Sequence, residues 1–403
     1  MPNLRIVSPL GTFAAMIPQF SLHTLRFALL ATTVLSMGCS VPVHEVPKSQ
    51  DVTWNNAAWA HGIRWYGAGE EPAAAALSNP RTGEVWAVVF RDSADLQPLG
   101  DAPHVVIGDA AAHGLATLST THVALMLAWN PNLSHWAGGA YVDYLQDDQA
   151  LQRLAAGLAQ DFSGQPELDR ERLLAAQPAA LTIYPFGDPL AGSSIADRIP
   201  VLPLGEYLEP HPLGRAEWMV LLGWACGEWS EARAVFDQIV ERYVSVRDSV
   251  AGVAIAPKVF AGSVRNGVWH APGGESLVAQ FLHDAGANYM FNARDGHENV
   301  EVPLEEMLAM ASQSDAWGVV WHEPAGLDWS AVIDADARYA DLVPNTGKIF
   351  GANTAECDYF GSWVARPDDM LRNLANLFHP DWVSPVEEPC FVWLDGVPNP
   401  SRP

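Results

Sequence analysis

Basic residues are scarce in this chain: 22 lysines and arginines stand against 47 aspartates and glutamates in 403 residues, a formal charge of −25. A field of that sign repels phosphate backbones and anionic headgroups, so nucleic acid is excluded as a partner. The same excess serves solubility in a salty medium, where screening is efficient, so it excludes partners better than it names one. Cysteine is nearly absent, with four residues, none in a C-x-x-C or a Cys/His ligand spacing. There is no H-E-x-x-H among the 13 histidines, no G-x-S-x-G elbow, no Walker loop and no G-x-G-x-x-G after a strand. Gly273-Gly274-Glu275 reads as a helix-opening turn, not a phosphate cradle. No cofactor is implied. The shortage of motifs disfavours an enzyme, although a hydrolase built on a carboxylate pair stays open as the main alternative.

Tryptophan, by contrast, is plentiful: 16 residues, against 9 tyrosines and 14 phenylalanines. Most will wall a core, and a subset lining a cleft would suit a large flat ligand. Residues Leu25–Met37 form a short apolar run with Arg26 at its edge, too short for a permanent span but suited to a signal-peptide core. The run ends in Ser36-Met37-Gly38-Cys39, which resembles the bacterial lipoprotein box, with Ser36 where leucine is usual. The expectation is export to the periplasm, removal of residues 1–38 and lipidation of Cys39 as a membrane anchor, with 39–51 as a polar tether. Removal of Arg5 and Arg26 takes the charge to −27. A structural lipoprotein without a small ligand is a further alternative. Of the other cysteines, Cys226, Cys357 and Cys390, one disulfide is possible, with Cys357–Cys390 preferred.

Beyond the tether, short apolar strands alternate with amphipathic helices, which implies parallel sheets covered on both faces. Strands are expected at Ala60–Tyr66 and Glu84–Arg91, with a Gly/Pro/Ala-rich turn between them, and an edge strand at His104–Ile107. The clearest helix is Ser230–Asp248. Ser230 is a good N-cap, and Ala232, Val235, Phe236, Ile239, Val240 and Tyr243 fall at three-four spacing. Glu171–Ala176 before Ala180–Tyr184 is echoed by Glu305–Ala309 before Ala316–Trp321, a helix opened by an acid and then a strand. The fold class is therefore α/β: two three-layer lobes, 52–229 and 249–403, joined by one long helix at 230–248.

The order of these pieces resembles the periplasmic substrate-binding proteins of iron-complex, haem and cobalamin ABC importers. The markers are Leu118–His122 (LSTTH), Glu171–Pro178, Val201–Trp218 with its GRAEW, Gly267–Glu275, Asp284–Ala287, and Arg366–Asp368 through Phe378–Pro380. Ala179 stands where the family usually has aspartate. The resemblance implies a monomer with two lobes, an interlobe cleft and slight closure, because a rigid helix restrains the hinge. It implies a metal-chelate ligand (ferric siderophore, haem or cobalamin) and an ABC permease, docked through Glu171 and Glu305, with Glu306 and Glu301 competing for the second place. Loops at the carboxyl ends of the strands should build the cleft. That rule selects Thr121–His122, Trp136 to Tyr141, Tyr184 to Phe186, Arg265 to His270 with Trp269, and Trp321–His322. Arg215 and Trp218 of GRAEW join them, unless Arg215 is locked to Glu217 or Glu206. His270 and His322 are best placed for axial contact with a bound metal. Stacking aromatics with few basic residues lean against a highly anionic chelate.

Overall fold

The computed structural model describes residues 54–67, 71–91, 104–164, 168–185 and 195–398. The signal segment, Cys39, the tether and Phe186 lie outside the described residues. No helix among the described residues is long and apolar enough to cross a membrane.

The chain is α/β. It opens with a five-stranded sheet, β1 (Trp54–Asn56), β2 (Ile63–Tyr66), β3 (Ala74–Ser78), β4 (Val85–Phe90) and β5 (His104–Val106), paired in sequence order. The first three pairings are antiparallel and β4–β5 is parallel. The Ala-rich stretch expected to be a turn is thus strand β3. Its five residues are all buried, and small side chains there let the sheet pack closely on both faces.

A parallel sheet follows, assembled from α1 (Ala110–His113), β6 (Leu115–Thr117), α2 (Thr120–Trp129), β7 (Trp136–Gly139), α3 (Asp148–Ala155), β8 (Gln160–Asp161), α4 (Arg170–Ala176), β9 (Ala180–Ile183) and β10 (Val201–Pro203). Its order is β10-β9-β6-β7-β8. Two helices come next, α5 (Pro212–Ala225) and α6 (Trp229–Val250). The second half contains β11 (Lys258–Ala261), β12 (Ser263–Arg265), β13 (Val268–Pro272), α7 (Leu277–Asp284), β14 (Asn288–Tyr289), β15 (Asn299–Val302), α8 (Leu304–Ala311), β16 (Ala316–Trp321), α9 (Trp329–Ala335), β17 (Ile349–Asn353), α10 (Ser362–Ala365), α11 (Pro367–Phe378) and β18 (Phe391–Trp393). Here the main sheet runs β14-β11-β16-β17-β18, parallel except for β18, and β12-β13-β15 form a small antiparallel sheet. The Gly267–Glu275 stretch, expected as a plain loop into a helix, therefore contains strand β13.

The GRAEW stretch is helix α5 itself, not a crossover ahead of a helix. Pro212 opens it with its φ already set, and His211 Nδ1 caps Leu213 N–H at 3.1 Å. All its residues but Arg215 are buried. The helix expected at Ser230–Asp248 runs from Trp229 to Val250, about 33 Å at 1.5 Å per residue, so Ser230 lies inside its first turn and not at the cap. Its buried stripe is Ala232, Phe236, Ile239, Tyr243, Val246 and Val250, and its other face is solvated. Gly223 of α5 lets the two helices meet: a Cβ there would sit 2.2 Å from that of Ala232.

Helix α6 is tied by ion pairs near its start and in its second half. Arg233 reaches Glu217 of α5 at 3.6 Å, and Arg242 reaches the buried Asp368 of α11 at 2.6 Å. Tyr243 donates to Asp284 of α7 at 2.6 Å, and His211 lies 3.9 Å from the same carboxylate. Burial of the imidazole drives the pKa of His211 down to about 4, against a smaller upward pull from Asp284. The unfolded chain therefore binds this proton near pH 6.5 and the folded chain only near 4. Stability is full above that window and falls as pH drops through it, by no more than about 1.4 kcal/mol per pH unit. A His211→Gln variant should flatten that part of a urea-midpoint profile between pH 6.5 and 4. An unchanged slope would remove His211 as its source.

Candidate functional site

In each parallel sheet the chain winds one way and then the other, leaving a crevice at the carboxyl ends where the direction reverses. In the first sheet that point lies between β6 and β9, and in the second between β11 and β16. Helix α2 leaves the end of β6 at this point, and polar side chains collect beside it.

At the first reversal, Ser119 follows β6 and caps α2 by accepting from Thr121 N–H at 3.1 Å. Its hydroxyl lies 2.6 Å from that of Tyr184, which follows β9. His122, one turn into α2, is bonded through Nδ1 to Thr182 Oγ1 at 2.8 Å and turns Nε2 toward Glu206 at 3.5 Å. Both His122 and Glu206 are buried. The rings of His122 and Tyr207 lie 4.9 and 5.0 Å from that of Tyr184. Burial first, and the charge of Glu206 second, raise the pKa values of both phenols above the usual range. They remain neutral hydrogen-bonding and stacking groups at any physiological pH.

Arg215 projects from α5 toward this cluster. It pairs with neither Glu217 nor Glu206 by direct contact. Its guanidinium donates to the carbonyls of Tyr207 at 2.6 Å and Glu209 at 3.3 Å. Burial disfavours its charge, and Glu206 and Tyr184 offset part of that penalty.

The second half reaches across through the segment between β17 and α11. Thr121 Oγ1 donates to Phe360 O at 3.0 Å, and Gln146 Nε2 donates to Thr354 O at 2.9 Å. Helix α10 packs on α2 and α5. This segment is held at its root by the Cys357–Cys390 disulfide, with Cα atoms 5.5 Å apart, while Cys226 is free and buried. His322, exposed at the carboxyl end of β16, is bonded to Thr354 Oγ1 at 3.0 Å.

The residues expected in the cleft therefore divide. Tyr184 and Arg215 come together at the reversal point. Tyr141 follows β7 in a left-handed conformation (φ 59°), 41 % exposed, and His322 lies at the matching end of the second sheet. Arg265 and His270 belong to the small antiparallel sheet, Arg265 exposed and His270 half-buried on the face away from Trp269.

The four tryptophans do not line a cleft. Trp136, Trp218, Trp269 and Trp321 are each at most 1 % exposed. Trp136 donates to Thr117 Oγ1, Trp218 to Glu209 and Trp269 to Ala261 O. Trp269, Trp317 and Trp321 surround Tyr339. They sit on inward positions of β13 and β16, where a large ring fills the space between sheets.

Glu209 and Glu217, which sequence reading did not single out as a pair, perform a structural task. Glu217 accepts from the backbone N–H groups of Ala58, Trp59 and Ala60 at 2.7–2.9 Å, and Glu209 from those of His61 and Gly62 at 2.9 Å. Two buried carboxylates thereby weld the β1–β2 turn to α5.

Glu171 and Glu305 are both exposed, each the second residue of its helix, α4 and α8. Glu306 is paired with Arg294, which leaves Glu305 the less committed of the two neighbours. Among the described residues no cluster of three His, Cys, Asp or Glu side chains is set to hold a metal ion. A hollow of about 290 Å³, bordered by Asp109, His113, Gln177 and Arg198, lies at the amino ends of β6, β9 and β10, opposite the reversal point. A cavity of about 30 Å³ in the second half is wholly apolar.

Compared with known proteins, the chain is 24% identical over 279 residues to an uncharacterized lipoprotein of Methanocaldococcus jannaschii, covering 66% of this chain and 64% of that one. It thus spans just under two thirds of that relative. Its fold is similar to that of a periplasmic haem-binding protein from Pseudomonas aeruginosa (TM-score 0.52, 19% identity, 70% of this chain and 97% of the other). It is also similar to a possible iron-binding, periplasmic solute-binding protein from Staphylococcus epidermidis (TM-score 0.51, 15% identity, 66% and 98%). The sequence pattern of the periplasmic binding proteins matches residues 115–342, more than half of the 403 and the span that carries both reversal points. This chain belongs to the periplasmic binding protein family.

Proposed function

We propose that the protein captures a metal chelate (ferric siderophore, haem or cobalamin) in the cleft between two lobes and hands it to an ABC permease. The lobes are 52–229 and 249–403, with α6 as the rod between them. One observation carries the reading: Ser119, Tyr184, Tyr207 and Arg215 gather at the reversal point of the first parallel sheet, and the second half reaches the same end of that sheet through Thr354 and Phe360. Neutral phenols and a serine offer stacking and hydrogen bonds without chemistry of their own, which suits binding and not turnover. The ion pairs that tie α6 to α5 and α11 support a slight closure. Glu171 and Glu305, at matching places in the two lobes, dock the permease by pairing with its arginines. Cys39 carries the lipid that holds the protein at the membrane, exported and monomeric.

The test is thermal unfolding with haemin, ferrioxamine B and cyanocobalamin added singly. One of the three should raise the midpoint in a saturable way; a ligand at 100 times its Kd stabilises by about 2.7 kcal/mol. No shift with any of them, together with hydrolysis of chromogenic esters or glycosides, would replace the binder with a hydrolase.

A further inference from the structure

The turn between β3 and β4 lies outside the family-matched span, yet it reaches the crevice. Asn79 accepts through its side chain from Arg81 N–H at 2.9 Å and from Thr82 N–H at 3.2 Å, which fixes the turn. Pro80 is seated against the first sheet's floor: a Cβ on Gly205 would lie 3.2 Å from it and 2.7 Å from the Trp86 ring, so only glycine fits there. Gly205 immediately precedes Glu206 and Tyr207, and this seat therefore brings Arg81 beside the site. Arg81 and Glu298 both act electrostatically on Tyr207 and Arg215. Across the crevice, Arg81 Nη2 meets Glu298 Oε1 at 2.8 Å, with the two side chains 27 % and 49 % exposed. Glu298 comes from the second half, just before β15.

An ion pair as open as this contributes little to stability, and its partner is easily exchanged. Two guanidiniums, Arg81 and Arg215, converge where the chain as a whole is strongly acidic. Such proximity is costly unless anions offset it: Glu206 does most of this for Arg215, and Glu298 is the carboxylate that meets Arg81.

We propose that Arg81 is a specificity residue of the cleft: it recognises a carboxylate on the bound chelate, and Glu298 competes with that carboxylate for the same guanidinium. This rests on the cleft-binding reading and narrows it to ligands that bear a carboxylate. Exchange of Glu298 for a ligand carboxylate frees an acid on the opposite wall and keeps the arginine satisfied throughout. The guanidinium's planar fork can meet a carboxylate through two N–H groups, which a lysine at 81 would not reproduce.

The experiment is titration of tryptophan fluorescence with haemin and ferric citrate, which bear carboxylates, and ferrioxamine B, which bears none. Wild type should favour a carboxylate-bearing probe. Arg81→Ala should weaken that probe about tenfold or more, Arg81→Lys should recover only part, and Glu298→Gln should tighten it about threefold. A merely structural pair would move both variants in the same direction, and their thermal midpoints, expected to stay near wild type, check the fold. Equal weakening by both variants, or unchanged affinity in Arg81→Ala, overturns the assignment of Arg81 while leaving the cleft reading intact. Preference for ferrioxamine B overturns the carboxylate class. Failure of all three probes on wild type counts against both this inference and the reading beneath it.

Discussion

Glu217→Ala should lower stability by about 3–5 kcal/mol, read as a shift in the urea midpoint. The carboxylate is fully buried and accepts three backbone N–H groups while facing Arg233. Its removal orphans the donors of Ala58, Trp59 and Ala60 at once. Ala58 is exposed and recovers water, which keeps the cost below the sum of three lost bonds. Glu217→Gln preserves shape but turns an amide toward a donor, so an intermediate loss is expected. If the alanine variant fails to fold, amide exchange at Ala58–Ala60 in the glutamine variant answers the same question. A midpoint shift below about 1 kcal/mol for Glu217→Ala would show that the β1–β2 turn does not depend on this weld.

The second large effect concerns Cys357–Cys390, which closes a loop of 33 positions. Chain-entropy reasoning assigns a loop of that length about 3–4 kcal/mol. Cys390→Ser, or reduction of the wild type, should therefore move the urea midpoint by that amount. The bridge roots the segment that carries Thr354 and Phe360 onto α2 and α3's flank. Hydrogen exchange should accelerate at 354–365 ahead of global unfolding. An unchanged midpoint and unchanged protection would mean that the interlobe contacts hold this segment unaided. Cys226, buried with its thiol pKa pushed well up, should stay inert throughout.

How much of this was legible beforehand follows from what periodicity encodes. Helix α6 was readable because one stripe is buried and the other solvated. Helix α11 has the same two-faced pattern, and Pro367 marks its start. Helix α5 was missed because nearly all of it is buried, so Pro212–Ala225 carries no polar face to set a period. Strand β3, Ala74–Ser78, was missed because alanine is a poor strand former, and only close packing on both faces selects it.

The site divided along similar lines. Strand-end logic leads to Tyr184, which the structure has directly after β9 at the reversal point, against Ser119. It misplaced Trp136, Trp269 and Trp321, because a ring at a strand's inward position reads in sequence like one at its mouth. Glu206, Glu209 and Glu217 gave no local signal: a buried carboxylate is recognised only by the donors that meet it, and Glu217's backbone donors lie 157 or more residues away. Arg81 was hidden for the same reason, its partner Glu298 being 217 residues distant. A turn signal at Asn79-Pro80-Arg81-Thr82-Gly83 was present, but nothing in it says which surface the turn will face.

The claim on which the rest depends is that the crevice beside Ser119 and Tyr184 holds a chelate. Protein purified from the cells that make it, without added ligand, should carry a visible absorption band and a metal in near one-to-one ratio with the chain. A Tyr184→Ala variant prepared alongside should lose most of both. Colourless, metal-free protein from metal-replete cells, with no small molecule released on denaturation and no difference between the two preparations, would contradict the account.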